Sequence, residues 1–464
     1  MENTVLSPLD GRYRGKLGTL RGYMGEAAFA AARIRVETTW LEVLCGLKLP
    51  FLKPLSRSEK KILAELPVLT EKDLAVLRAL EFDGYQGIPA TRHDVKAVEY
   101  FLQLKLKNTS LKNRLNGLHF ALTSEDVNSV SYAFLLADGV EKVLLPALEK
   151  VRQTLAKLAV KEARSVLLAR THGQPAVPTT FGKEVRVFEN RLSRQIAQLK
   201  KQSVSCKFGG AVGNFNAHTA TFGKINWPRV ADQVIGLLNK NRKIKIYRTS
   251  VSTQVDPRDT YAELFDNLRR INVILTDLSR DMWLYISAGL VRQQAVKGEV
   301  GSSTMPQKVN PIDFENAEGN LQLANALFGL FSTKLPISRL QRDLSDSTVL
   351  RNMGLSFGYT CVAYDSLLRG LGKIAFDRAA ALDEVKNHPE VLAEAYQTIL
   401  RAAGMEGPYE KLRDFTRGHA ITYEKLQQFV NQLKVSATVK KQLRALKPEN
   451  YIGLAEKLAR GNYD

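Results

Sequence analysis

Apolar residues return at steps of three and four through most of the middle of the chain. Leu264, Leu268, Ile271, Leu275, Leu278 and Met282 form one unbroken stripe, the spacing of a helix with a single buried face. Leu144, Leu148, Val151, Leu155 and Leu158 predict a second such helix. A third is predicted by Phe181, Val185, Phe188, Leu192 and Leu199, with Ile196 widening the stripe. The stretch IDFENAEGNLQLANALFGLFSTK (312–334) is apolar on nearly all sides, which predicts a helix buried all round. DSTVLRNMGLSFGYTCVAYDSLLRGLGKIAF (346–376) reads as a fifth helix. Clear strand alternation is scarce. Long helices with sustained seams pack as bundles, and seams of this length often continue across a subunit boundary. The pattern predicts an all-α fold in three segments: a mostly helical N-terminal domain over 1–111, a central long-helix bundle over 112–364, and a C-terminal helical domain over 365–464. KLKNTSLKN (105–113) marks the first boundary, and near residue 365 the long seams give way to shorter helical pieces.

Composition narrows the class. With 464 residues, 44% of them hydrophobic and 25% charged, the chain has the make-up of a globular protein with a large core. Cys45, Cys206 and Cys361 lie far apart and form no CxxC pair, which argues for a reducing compartment and against a structural zinc site. The start, MENTVLSPLDGRYRGK, contains no stretch like a signal peptide, and no apolar run approaches the roughly 18 residues of a membrane span. A cytoplasmic location is expected. The formal charge of +20 would suit an anionic partner. Lys and Arg are nevertheless spread along the chain among Asp and Glu, and the densest patches, NKNRKIKIYR (239–248) and VKKQLRALK (439–447), are short. No RNP motif, zinc finger or aromatic-basic alternation accompanies them, so nucleic-acid binding is not the expected function.

Six histidines serve the whole chain, and three of them open polar turns: His93 in TRHDVKAVEYFL, His119 in GLHFALTSEDVNS and His172 in RTHGQPAVP. None has the spacing of a metal site. TSEDVNS has the order of a helix-capping box. It is also compatible with a carboxylate or phosphate site, because free N–H groups and hydroxyls gather at a helix start. FGGAVGNFNAH (208–218) is Gly-rich but follows no clear strand, and reads as a tight interhelical turn rather than a nucleotide loop. Arg339, Arg342 and Arg351 could hold an oxyanion or could form a solvated face. GSSTMPQKVNP (301–311) combines a mobile Gly-Ser start, a stiff Met-Pro centre, a cation and an Asn-Pro turn.

Three of these segments, in their order along the chain from 122 to 311, resemble the fumarase/aspartase superfamily, whose members eliminate fumarate from succinyl-type substrates. GSSTMPQKVNP is similar to its signature loop, RTHGQPA to its histidine segment and LTSEDVNS to its threonine-serine segment. LSPLDGRY, TRHDVKAVEYF, DPRDTYAELFD and KLPISRLQRDLSDSTVLRN are similar to the bacterial-type branch of the adenylosuccinate lyase family, over nearly the whole chain. Argininosuccinate lyase and fumarase share the loop but not these flanking segments.

The resemblance implies an anti β-elimination that cleaves adenylosuccinate to AMP and fumarate, and SAICAR to AICAR and fumarate, in purine biosynthesis. It implies Ser302 as the base that takes a proton from the carbon beside a carboxylate, and His172 as the acid that protonates the departing nitrogen. A serine can act as a base only in a shielded site with cationic support, which a mobile loop carrying Lys308 could supply. The resemblance further implies that Lys308 and Asn310 hold the charge spreading onto the carboxylate, and places Val309 between them in the binding set. Arg12 and Tyr13 are implied at the phosphate end. Arg92, His93, Asp94, Thr123, Ser124, Gln254, Ser303, Asn316, Arg342 and the run Ser347, Thr348, Val349, Leu350 and Arg351 complete the implied binding set. Two positions depart from the pattern: Gln307 stands where close relatives often have His, and Arg92 where many have Asn. No organic cofactor or metal is implied. A homotetramer is, with each active site collecting residues from three chains. The alternatives are another fumarate-releasing lyase, such as argininosuccinate lyase, or a scaffold relative without activity.

Overall fold

The computed structural model describes residues 5–294, 305, 308–416 and 421–463. Helix accounts for 64% of it, and the strands are short and paired two by two, as expected for the all-α class. Every member of the Leu264–Met282 stripe lies in the helix Asp259–Ser287 and is buried. The stripe starting at Leu144 opens on the last residue of the helical turn Gly139–Leu144 and runs on along Leu145–Lys161, and the stripe starting at Phe181 lies on Phe181–Leu199. In the first of these Leu158 is only half-buried and Ala159 takes the central position, because a 3.6-residue period drifts off a fixed three-four count.

Two compact units make up the chain. The first comprises 1–148, 195–273 and 319–364. Its N-terminal helix Glu26–Gly46 packs against Asp94–Leu106 and Ser124–Asp138. All of Ser124–Asp138 after its first residue is buried, polar members included, so it presents no one-sided stripe. Trp40 sits in a ring cluster with Phe208, His218 and Trp227, at centroid distances of 5.4, 5.8 and 6.2 Å. The strand Val204–Cys206 pairs in parallel with Ile246–Arg248 and leads directly into the Gly-rich turn, which therefore does follow a strand, one too short to show alternation. Gly213, at φ +83°, passes so close to the Ser252 carbonyl that a Cβ there would lie 2.4 Å from it.

The second unit comprises 149–194, 274–318 and 365–464. Val166–Thr171 and Gln174–Thr180 form an antiparallel hairpin in which Thr171 faces Gln174. The two turn residues are therefore His172 and Gly173, at φ +53° and +75°, the twist a two-residue hairpin turn requires. Phe181 stacks on Phe376 at 4.4 Å and meets Tyr285 edge-on. Tyr396, Leu400, Leu426, Val430 and Leu443 centre the C-terminal core.

Two helices differ from the pattern reading. Ile312–Lys334 is one helix, but it is not buried all round: Phe314, Ala317, Leu321, Ala324 and Phe328 are buried, while Ile312, Leu323 and Leu330 are 52%, 52% and 47% exposed. Residues 346–376 are not one helix. Ser345–Leu350 and Met353–Lys373 are separated at Arg351–Asn352, and Ile374–Phe376 is a strand paired with Val291–Gln293. No described helix is long and apolar enough to cross a membrane.

Candidate active site

Most of the binding set implied by resemblance lies in the first unit, and the chain brings much of it together around two carboxylates. His93 caps the helix Asp94–Leu106, its Nδ1 accepting the Lys96 N–H. The other ring nitrogen, Nε2, stands 3.3 Å from Ser124 Oγ, which joins the segment TRHDVKAVEYF to LTSEDVNS. Asp94, the first helical residue, accepts Arg33 Nη2 at 2.5 Å and Arg351 Nη2 at 3.0 Å on the same oxygen, Oδ2. Burial pushes the Asp94 carboxyl up, but the Arg33 charge and hydrogen bond, helped by Arg351, outweigh it and hold the group below the ordinary carboxylate range. Arg33 is almost buried, stacked 3.8 Å over the Phe29 ring and bonded to Asn128 Oδ1, whereas the Arg351 side chain is 58% exposed.

Glu125 is the second carboxylate. The capping role expected of the acidic pair belongs to its neighbour Asp126, whose Oδ2 accepts the Thr123 N–H at 2.9 Å. Asp126 also accepts the N–H groups of Gly209 and Gly210 and pairs with the buried Lys207, which pins the Gly-rich turn beside Thr123. Glu125 points into the core instead. Its Oε1 accepts Arg258 Nη2 at 3.0 Å, and its Oε2 lies 3.2 Å from Arg342 Nη2. Burial pushes this carboxyl up, against the pull of both guanidiniums. Arg342 also donates to Gln254 Oε1 at 3.0 Å and to Ser347 Oγ at 3.3 Å, so three members of the binding set form one network. Arg258 reaches Asp346 Oδ2 at 3.0 Å, and Asp346 Oδ1 accepts the Ser347 N–H at 2.7 Å.

Elsewhere in this unit Arg12 is exposed and Tyr13 half-buried just before the short turn Arg14–Lys16. Arg92 is exposed at φ +51°, and its side chain joins neither carboxylate. Thr348 is exposed, Val349 half-buried and Leu350 buried, so the Leu350 side chain is part of the core wall. A cavity of about 340 Å³ borders the Asp94–Arg351 pair and is lined also by Phe29, Glu81 and Tyr132.

In the second unit His172 is exposed at the hairpin tip. Lys308 and Val309 are exposed, and the Val309 carbonyl accepts Gln293 Nε2 at 3.0 Å. Asn310 is half-buried, and Asn316 Oδ1 accepts Ser366 Oγ at 2.8 Å. Ser302, Ser303 and Gln307 lie outside the described residues.

Sequence reasoning passed over Arg33, Glu125, Arg258 and Asp346. Glu125 reads as a cap because it adjoins one, and Arg33 sits among the residues of an ordinary helix. Arg258 precedes the longest described helix at φ +62°, a conformation uncommon for a bulky residue, but DPRD itself carries no sign of it.

Residues 74–325 match the family model described as Lyase, and residues 338–452 the model described as Adenylosuccinate lyase C-terminal. Adenylosuccinate lyase of Escherichia coli (strain K12) is 41% identical over 97% of this chain and 97% of its own. That of Vibrio cholerae is 42% identical over 98% of each chain. Fumarate lyase from Mesorhizobium sp. BNC1 shares the fold, with a TM-score of 0.73 over 96% of this chain and 97% of the other, at 15% identity. Near-full-length identity of this order, together with both family models, shows that the chain belongs to the adenylosuccinate lyase family of the fumarase/aspartase superfamily.

Proposed function

We propose that this enzyme is an adenylosuccinate lyase that cleaves adenylosuccinate to AMP and fumarate, and SAICAR to AICAR and fumarate. The observation that carries the reading is the 41% identity to adenylosuccinate lyase of Escherichia coli over 97% of the chain. The Arg342 guanidinium and the Ser347 hydroxyl, joined to each other, support it, because both substrates present carboxylates and a phosphate that such donors suit.

In the proposed reaction Ser302 removes a proton from the carbon beside a succinyl carboxylate. The electron pair forms the carbon–carbon double bond of fumarate as the carbon–nitrogen bond breaks on the opposite face. His172 gives its proton to the departing nitrogen. Lys308 and Asn310 hold the charge that gathers on the carboxylate, an interaction stronger in the transition state than before it. Arg342, Ser347, Arg351, Arg12 and Tyr13 bind the anionic ends of the nucleotide, and Arg92, His93, Asp94, Thr123, Ser124, Gln254, Ser303 and Asn316 complete the site.

The enzyme is proposed to work as a cytoplasmic homotetramer whose active sites draw residues from three chains. Support comes from apolar side chains left facing outward on two long helices: Val273, Trp283 and Leu284 on one, and Ile312, Leu323 and Leu330 on the other. Such a face favours a partner helix over water. The three-segment division at residues 111 and 364 belongs to the same reading. A spectrophotometric assay of adenylosuccinate loss, with fumarate identified as product, tests the function. Turnover of argininosuccinate at a comparable rate, or no fumarate from adenylosuccinate, would overturn it.

A further inference from the structure

We infer that Arg258 is a positioning residue for substrate binding: it acts through Glu125 and Asp346 to hold Arg342 and Ser347 in their binding orientation. The inference rests on the proposed reading of Arg342 as a substrate contact. Arg258 lies where no substrate reaches it, with a side chain only 1% exposed, at the head of the helix Asp259–Ser287. Its backbone is anchored independently, since its N–H donates to Asp256 Oδ2 at 2.8 Å and Asp256 in turn accepts Ser205 Oγ at 2.7 Å. A buried guanidinium on so firm a mount is a fixed charge rather than a mobile one.

Two carboxylates converge on a single nitrogen of that charge. Nη2 meets Glu125 Oε1 and Asp346 Oδ2, both at 3.0 Å, and among the described residues Nη1 has no hydrogen-bond partner. Each carboxylate uses its other oxygen on a member of the binding set. Glu125 Oε2 takes Arg342, and Asp346 Oδ1 takes the Ser347 N–H. Arg258 thus has no direct contact with the binding groups but shares both of their anchors.

Electrostatics gives the arrangement its purpose. The two guanidiniums Arg258 and Arg342 face the two carboxylates Glu125 and Asp346, so these four side chains balance in charge. Without Arg258 the carboxylates Glu125 and Asp346 would stand behind Arg342 with one negative charge in excess. In a buried, weakly screened setting that excess would draw the Arg342 guanidinium inward and oppose an approaching phosphate or carboxylate. The consequence falls on binding of an anion rather than on the proton transfer proposed for Ser302 and His172.

The test is steady-state kinetics of the full-length enzyme on adenylosuccinate, with Arg258→Met, Arg258→Lys, Arg342→Lys and the double variant Arg258→Met/Arg342→Lys. Arg258→Met is expected to raise KM about tenfold, the scale of one charge-assisted hydrogen bond, with kcat within about threefold. Because the contact is to one nitrogen, Arg258→Lys should restore much of the affinity. The double variant should be within about twofold of the worse single one, since both changes disable the same group. A melting temperature that falls in Arg258→Met with KM unchanged, or KM effects that multiply in the double variant, would overturn the inference. If Arg342→Lys leaves KM unchanged, the assignment of Arg342 fails and the inference falls with it, an outcome separable from the previous two. Should Arg258→Met not fold, Glu125→Gln decides: a raised KM at preserved kcat supports the relay, and an unchanged KM overturns it.

Discussion

Glu37 holds His119 at two points: its Oε2 accepts the His119 backbone N–H at 2.9 Å, and its Oε1 meets the ring Nδ1 at 2.6 Å. His119 and Ala121 are both in the left-handed region, at φ +52° and +58°, so this carboxylate secures a strained turn four residues before Thr123. Burial pushes the His119 imidazole down, but the hydrogen bond and charge of Glu37 outweigh it and raise the group above its ordinary value. A raised value in the fold means that the pairing stabilises fully below the unfolded histidine value and is lost as pH rises through the folded one. Glu37→Gln is therefore expected to cost about 3 kcal/mol near pH 6, the low end of the range for a broken buried pair, and less near pH 9. Denaturation of wild type and variant at the two pH values checks this, and a gap independent of pH would count against the pairing.

His218 behaves in the opposite sense. It is fully buried among Trp40, Phe215 and Trp227, and among the described residues neither ring nitrogen has a hydrogen-bond partner. Burial lowers it from 6.5 to about 4, so the fold holds it neutral. Its contribution is complete above the unfolded value and is withdrawn as pH falls below 6.5 toward 4. Between pH 7.5 and pH 5 the wild type should lose about 2 kcal/mol from this group, an order-of-magnitude figure. His218→Phe, which keeps an aromatic ring in the cluster, should show a correspondingly flatter acid limb in urea denaturation. An equally steep limb in the variant would mean that other groups set the acid sensitivity.

Within the signature loop, Ser302→Ala is expected to fold and bind substrate but to lose about a thousandfold in turnover, inside the range for removal of a general base. Ser303→Ala should cost less. Single-turnover measurements on both variants separate the two serines. A dead Ser303→Ala beside an active Ser302→Ala would reverse the assignment.

Sharing of active sites between chains predicts rescue. If His172 and Ser302 enter one site from different chains, mixing His172→Ala with Ser302→Ala and reassembling the oligomer creates sites intact at both positions. In random tetramers of equal parts about a quarter of the sites should be so, from simple probability under closed symmetry. Activity near that level is the expected result. Its absence, with mixed tetramers verified by mass, would place both groups on one chain or sink the assignment.

The helical stripes were legible without any structure because they record a local rule. A helix on a large core buries one face, and Leu264, Leu268 and Ile271 show that face at steps of about 3.6 residues. The motifs proposed to be catalytic were legible because RTHGQPA and GSSTMPQKVNP are contiguous and resemble a family; their proposed roles come from that resemblance, and Ser302 itself lies outside the described residues. Local pattern misread what depends on neighbours. It took Ile312–Lys334 as buried all round, although the single chain covers only one side of it. It carried one helix through residues 351 and 352, where the structure has a break. Glu125 and Arg258 stand 133 residues apart, and nothing in SED or DPRD alone says that they meet. Ion pairs of that kind belong to tertiary packing: a carboxylate next to a helix start serves as a cap or as a buried anchor depending on which distant cation the fold brings to it.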